Sequence, residues 1–279
     1  MKKNPLVSIV IPMKNPDIFL EKCLKTIKQQ TYKNIEIVIV SGKVLGVEVL
    51  AAKYGARVFE FEPKLSSGRF DATHRRNYGV KKAKGKYLYY ADTDYELTKN
   101  VIKECVLCAD GGYDAVITPL DTFGTGIWAR AKRLERRCYF GDEAVEAPRF
   151  FRKKVWDKLG GLDENLAGGG DDWDLYQKLK DKNYRVGRVR AIIKHNEGDL
   201  KLNRIYKKAF MYGKDVIKYF RKRPKEAIKS YFPIRPGYIK NWKLLLQNPR
   251  DTATFIFVRI IEYSAGFLGF LYSLLKPND

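Results

Sequence analysis

Histidine is scarce in this 279-residue chain: there are two, His74 and His195. Cysteine is nearly as scarce, with four residues at Cys23, Cys105, Cys108 and Cys138. The single C-x-x-C, Cys105 to Cys108, falls inside a helical pattern and has no second pair to complete a tetrahedral site. A zinc site is therefore not expected, and the thiols read as buried and reduced. Acidic residues are also in deficit, 32 against 54 Lys and Arg, which leaves a formal net charge of +22. Such an excess points to an anionic partner: nucleic acid, a phosphorylated substrate or an acidic membrane surface. Charge alone does not choose among them. There is no internal repeat and no low-complexity tract. The opening run, broken by Pro12, is too short and wrongly flanked for a signal peptide, so a cytoplasmic location is expected.

What is present is a packed core. Hydrophobic residues make up 45% of the chain, which excludes disorder. Leu6 to Ile11 is a β-branched apolar run suited to a strand buried on both faces. Asn15 reads as a helix cap, with Pro16 in the first helical position and Asp17 in the first turn. Phe19, Leu20, Cys23, Leu24 and Ile27 then recur at helical spacing. A strand at Ile35–Val40, a helix from Val44 to Tyr54 and a strand at Arg57–Phe61 complete a β-α-β-α-β alternation. That order predicts a mostly parallel sheet with right-handed crossovers. A basic helix over Asp71–Lys84 leads to a strand, Lys86–Ala91. Further on come a helix at Lys99–Ala109, a strand near Ala115–Thr118 and a strand-helix mixture at Phe150–Leu159. A glycine-rich loop, a helix at Trp173–Lys182 and a late strand at Tyr184–Ile193 follow. Thr122 to Glu146 shows no clear period.

Three acid or histidine signals carry chemistry. Asp92-Thr93-Asp94 lies where a buried strand ends, and open parallel sheets bind ligands beyond that end. Two carboxylates one residue apart suit Mg²⁺ or Mn²⁺, hard cations that take oxygen ligands and retain phosphate oxygens. Gly170-Asp171-Asp172-Trp173-Asp174 opens a helix after the glycine loop. One carboxylate there suffices for capping; three leave one available as a general base. His195 ends a strand and gains interest from the acids, whereas His74 sits in a basic helix and reads as structural. In Arg75-Arg76-Asn77-Tyr78-Gly79 one arginine suits phosphate and at least one belongs to the helix surface.

In this order the motifs resemble the family 2 glycosyltransferases of the GT-A fold. The matching stretches are VSIVIPMKN at 7–15, QTYKNIEIVIV at 30–40 and RRNYGVKKAKGKYLYYADTD at 75–94. They continue with RFFRKKVWDKLGGLDENL at 149–166, GDDWDLYQKL at 170–179, and His195. The resemblance implies a Rossmann-like α/β catalytic domain over residues 1–200, and the change of composition after His195 sets off a helical appendage over 201–279. It implies inverting, hexosyl-type transfer from a nucleotide-diphosphate sugar, with Mg²⁺ or Mn²⁺ as cofactor. Pro12, Asn15, Ser41, Arg76, Asp92 and Asp94 would bind the donor, and Asp94, Asp92 and His195 the metal. Asp172 would be the base, matching the second acid of a Glu-Asp pair, and Asp171 would replace the Glu with a shorter acid. Gly169, Gly170, Asp171 and Trp173 would face the acceptor. One departure is plain: the family's Asp-Asp-Gly-Ser after the second strand is Ser41-Gly42-Lys43 here. The carboxylate that would meet the nucleobase is missing, which motivates a non-catalytic descendant of the fold as one alternative.

Two other readings are weaker. A sugar-phosphate nucleotidyltransferase needs a glycine-rich loop with a basic residue after the first strand, and Pro12–Pro16 does not supply one. A nucleic-acid-binding protein leaves the acid clusters unexplained, because they would repel phosphate. No nucleic-acid partner is expected. Between Lys201 and Pro236 there are twelve basic residues and two acidic ones, interleaved with aromatics. Ala253–Leu275 is then apolar apart from Arg259 and Glu262, which can pair on one helix face. Each charge costs about 2.5–3.5 kcal/mol near a bilayer centre. An amphipathic helix lying on an anionic membrane or packed on the domain is therefore preferred to a spanning one. A glycan or lipid-linked acceptor fits that placement, on the cytoplasmic face.

Overall fold

The computed structural model of the chain describes residues 4–64, 70–168 and 170–275. Gly169 lies outside the described residues. The apolar run predicted to be buried on both faces is β1, Val7–Met13, and all seven of its residues are buried. Next comes α1, Leu20–Lys28, which buries Leu20, Cys23, Leu24 and Ile27 on one face. This helix starts later than Asn15 and Pro16 suggest. The Asp17 carboxylate accepts from the Phe19 N–H at 2.8 Å and its carbonyl accepts from Leu20, so the chain turns there first. Then follow β2 (Ile35–Ser41), α2 (Val47–Lys53), β3 (Ala56–Glu60), α3 (Ala72–Lys82), β4 (Tyr87–Tyr90) and β5 (Tyr95–Leu97). Further along are α4 (Val101–Asp110), β6 (Ala115–Ile117), β7 (Leu120–Thr125), α5 (Gly126–Cys138), β8 (Phe150–Arg152) and α6 (Lys153–Leu159). The rest are α7 (Asp171–Asp181), β9 (Val186–Arg188), β10 (Ile193–Asp199), α8 (Leu202–Lys222), α9 (Pro224–Tyr231), α10 (Pro236–Lys240), α11 (Trp242–Gln247) and α12 (Pro249–Leu275). The late strand expected at Tyr184–Ile193 is thus two strands, and His195 stands inside β10 rather than at a strand end.

The chain forms two compact units. The first takes residues up to Pro119, Ala147–Glu164 and Leu175–Lys194; the second takes Leu120–Glu146, Asn165–Asp174 and the residues from His195 on.

The first unit carries a seven-stranded sheet in the order β3-β2-β1-β4-β8-β6-β9. Strands β3, β2, β1 and β4 are mutually parallel, β8 runs antiparallel between β4 and β6, and β9 is parallel to β6. The chain walks outward from β1 to β2 and β3, then returns to β4 on the other side of β1. That reversal makes the switch point at which open sheets of this kind bind ligands. Register with β4 ends at Val10↔Tyr90, while β1 runs on against β2 to Met13↔Ser41. Pro12 lies past the last β4 pair, where a missing N–H costs no ladder bond on that side. Helix α3 lies hard against this sheet at Gly79, where a Cβ would fall 2.4 Å from Val10 Cγ1 and 2.9 Å from Val40 Cγ2. Val10, Val38, Val40, Leu88, Phe151, Trp156 and Leu175 belong to the core below.

In the second unit β7 and β10 are neighbours, with α5 and the helices α8 to α12. Helices α8 and α12 meet backbone to backbone. A Cβ on Gly213 would sit 2.0 Å from the Gly266 carbonyl oxygen, and one on Gly269 2.1 Å from that of Phe210. Helix α12 also packs on α5 through ions. Arg259 Nη1 donates to Glu262 Oε2 at 2.6 Å, the pairing expected from their spacing, and to Glu135 Oε1 at 2.8 Å. Lys132 Nζ bonds Glu262 at 2.9 Å and also bonds Glu135. Arg259 and Glu262 of α12 therefore turn inward. Its other face exposes Ile256, Phe257, Ile260, Phe267, Leu268, Leu271 and Leu274.

Candidate functional site

The Asp92-Thr93-Asp94 segment leaves the carboxyl end of β4 at the switch point of the first unit. It is a pinned turn. The Ala91 N–H reaches the Val10 carbonyl at 3.0 Å and the Tyr95 N–H the Asp92 carbonyl at 3.2 Å. Thr93 Oγ1 donates to Asp17 Oδ2, and Cys23 Sγ reaches the Asp92 carbonyl at 3.6 Å. The side chain of Asp92 is 30% exposed and accepts a hydrogen bond from Arg76 Nη2, while Arg149 Nη1 stands 3.8 Å away. Burial pushes the Asp92 carboxyl up, but the two guanidiniums more than reverse this and hold it well below the usual carboxylate range. Both guanidiniums also lie over Tyr90, at 5.1 and 5.3 Å from the ring centre, and Arg149 over Tyr95 at 4.9 Å. Two aromatic platforms thus present two arginines around one carboxylate.

The neighbouring arginine does different work. Arg75 is fully buried and donates to Asp71 Oδ2 at 3.0 Å, to Glu62 Oε2 at 3.1 Å and to the Phe61 carbonyl. So of the Arg75–Arg76 pair, the first ties α3 to the end of β3 and the second reaches the turn. Ser41 is buried at the end of β2. Gly42 follows it at a close approach, where a Cβ would fall 2.6 Å from Glu62 Oε1 and 2.7 Å from the Lys14 carbonyl oxygen. Glu62 Oε1 also accepts from the Lys43 N–H at 3.2 Å. A carboxylate from the segment after β3 thus lies against Gly42 and Lys43 at the end of β2. Asn15 is exposed in the turn after β1. His74 pairs with Glu164 at 3.6 Å, in keeping with a structural role.

In the second unit, the three acids opening α7 part company. Asp174 is fully buried and bound by Lys222 Nζ at 2.9 Å and Arg223 Nε at 2.8 Å. Asp171 is buried too, whereas Asp172 is half-buried, with Oδ1 accepting the Trp173 N–H at 2.9 Å. Gly170 holds φ at +111°, and a Cβ there would meet the Tyr219 ring at 2.8 Å. The Trp173 indole donates to the Val145 carbonyl at 3.0 Å and packs edge-on to Tyr231 at 5.4 Å. His195 is buried, its Nδ1 lying 3.4 Å from Glu197 Oε1. Burial raises the Glu197 carboxyl, and His195 with Lys208 and other cations brings it below its ordinary value.

The structure thus places Pro12, Asn15, Ser41, Arg76, Asp92 and Asp94 in the first unit, and Gly170, Asp171, Asp172, Trp173 and His195 in the second. Among the described residues no three His, Cys, Asp or Glu side chains gather as a metal-holding group. Arg149 and Glu62 were not singled out from sequence. Arg149 opens a matched stretch, but its contact with Asp92 spans 57 positions and no local period reports it.

The model of glycosyl transferase family 2 matches residues 8–166, more than half of the chain. The chain belongs to that family. Among curated relatives, an uncharacterized glycosyltransferase of Rickettsia typhi is 38% identical over 98 residues, 34% of this chain and 30% of its own length. The uncharacterized glycosyltransferase EpsJ of Bacillus subtilis is 28% identical over 150 residues, 53% of this chain and 41% of its own. The chain thus spans well under half the length of these relatives. Among solved structures, the mannosyltransferase PcManGT of Pyrobaculum calidifontis, in complex with GDP-Man and Mn²⁺, superposes with a TM-score of 0.65 at 15% identity. That match covers 100% of this chain and 89% of the other. S. aureus TarS in complex with UDP-GlcNAc gives 0.56 at 14% identity, over 98% and 92%. The fold is GT-A.

Proposed function

We propose that this protein is an inverting glycosyltransferase that moves a sugar from a nucleotide-diphosphate donor to a hydroxyl or phosphate acceptor, in glycolipid, polysaccharide or protein-glycan synthesis. The observation that carries this is the acid turn at the switch point, with Arg76 and Arg149 converging on Asp92. Two guanidiniums suit a diphosphate through paired charged hydrogen bonds. The family match supports the reaction class, and GDP-Man and UDP-GlcNAc in the structural neighbours support the donor class.

The donor set fits a divalent cation of the Mg²⁺ or Mn²⁺ kind. Asp94 and Asp92 offer hard oxygens on one turn, and such ions complete their shell with substrate phosphates and water rather than with a protein cage. When bound, the cation neutralises charge developing on the leaving diphosphate. Arg76 and Arg149 orient the phosphates and add positive potential where that charge grows. Ser41 and Glu62 take the place of the missing acid beside the nucleobase. Asp172 is the base: with Asp174 bound into ion pairs, it accepts the acceptor proton as the oxygen attacks the anomeric carbon from the face opposite the leaving group, and one such attack inverts it. Asp171, Trp173, Gly169 and Gly170 belong to the acceptor side.

The acceptor is a glycan or a lipid-linked one, and the protein works peripherally on an anionic membrane from the cytoplasmic side. Support comes from the net charge and from α12, which is long and apolar enough to cross a bilayer yet keeps Arg259 and Glu262 inside ion pairs with α5. Titration of UDP- and GDP-sugars in the presence of Mn²⁺ tests the donor reading. Saturable binding of one of them is expected, weakened at least tenfold by Arg76→Ala; a full panel with no binding refutes it.

A further inference from the structure

Wholly within the second unit lies a cavity of about 600 Å³ that the transfer reading does not use. It is bounded by α8 and α12, with α5, β10 and the segment after α9 closing it. Much of its wall is hydrocarbon: Ile205, Val216, Phe220, Phe267 and Phe270. Set into that wall are six Lys or Arg residues and two Glu. Two of the cations, Lys132 and Arg259, are answered by Glu262 and by Glu135 behind it. Of the two wall acids, Glu197 lies against His195. Glu197 also faces Lys208 and Arg136, and the wall still carries more cations than acids, six against two.

Arg235 shows this most sharply. Its residue is 6% exposed, and its buried Nε and Nη1 meet no hydrogen-bond acceptor among the described residues. Its guanidinium lies over the Tyr139 ring at 5.3 Å, which offsets a part of its lost hydration. A guanidinium removed from water without an anionic partner is costly to keep. A small pocket of mostly apolar wall with a few placed charges is the usual form of a ligand site.

We propose that this cavity binds an anionic amphiphile: a phosphate head at Arg235, and a hydrocarbon chain along α8 and α12. The wall decides between a lipid and a free phosphate ion. Phe267 lines the cavity and is also 60% exposed on the apolar face of α12, so the hydrocarbon wall runs out onto that face. A chain arriving from a bilayer enters without crossing water. The inference is read from the second unit alone and stands whether or not the protein transfers sugar.

Calorimetric titration of the full chain with dodecyl phosphate below its micellisation concentration, with dodecanol and with inorganic phosphate tests it. Dodecyl phosphate is expected to bind at least tenfold more tightly than either of the others. Arg235→Gln should weaken it about tenfold or more, and Val216→Trp should block it by filling the space. Equal binding of dodecanol would leave an apolar cavity only, and equal binding of inorganic phosphate an ion site only; either overturns the proposal, as does no binding at all. The three wild-type titrations decide the matter even if Arg235→Gln fails to fold.

Discussion

Asp92 and Glu135 are both carboxylates between two cations, one in each unit, and they answer to acid in the same direction. Burial pushes the Glu135 carboxyl up, and Lys132 with Arg259 carries it well below the usual range. A group whose folded value is depressed stabilises the fold above its unfolded value, about 4.3 for Glu, and that contribution fades as pH falls through this point. Urea unfolding between pH 7 and pH 3 should therefore show a loss of stability below about pH 4, and Glu135→Gln should flatten it. At pH 7 the same substitution leaves Arg259 and Lys132 sharing one acid, and is expected to cost about 3–5 kcal/mol. At the opening of α7, Asp172→Asn is expected to keep donor binding and abolish transfer, whereas at the donor turn Arg149→Ala should weaken donor binding about tenfold. Neither Arg149 nor Asp174 could be placed from sequence. The partners of Asp174, Lys222 and Arg223, lie almost fifty residues on, and charge pairing at that distance leaves no period to read.

At the level of elements, the legible parts are those whose burial is apolar. β1, β2 and β4 are mostly apolar runs, which puts Asp92 and Asp94 just past a buried strand, while the switch point itself appears only in the strand order of the sheet. The stretch from Thr122 to Glu146 is opaque for a physical reason. Helix α5 buries Ala129, Ala131, Glu135 and Cys138, so its fully inward positions are small or charged, and only Trp128 and Leu134 add bulk beside them. Strands β5 and β9 have three residues each, too few to display alternation. Close helix packing is equally silent until coordinates exist. Gly79→Ala must displace Val10 and Val40, and overpacking of this kind costs about 1–3 kcal/mol. Thermal unfolding of Gly79→Ala should show a lowered midpoint; an unchanged one would mean that α3 can lift from the sheet without penalty.

For the molecule as a whole, charge and exposed apolar surface have to be explained together. A net charge of +22 with a helix that hides its ions and shows Ile256, Ile260 and Leu268 suits an anionic bilayer. Flotation with anionic vesicles should carry the full chain, neutral vesicles should not, and replacing those three residues with serine should weaken the association without altering unfolding. Recovery on neutral vesicles to the same extent would remove charge from the explanation. The proposed reaction rests on the acid turn that follows β4. Release of free sugar from UDP- and GDP-sugars, with and without Mn²⁺, measures that turn most directly in wild type and in Asp94→Ala. The expected result is Mn²⁺-dependent release from one donor, lost about a hundredfold or more in Asp94→Ala; equal release by the two proteins would contradict it.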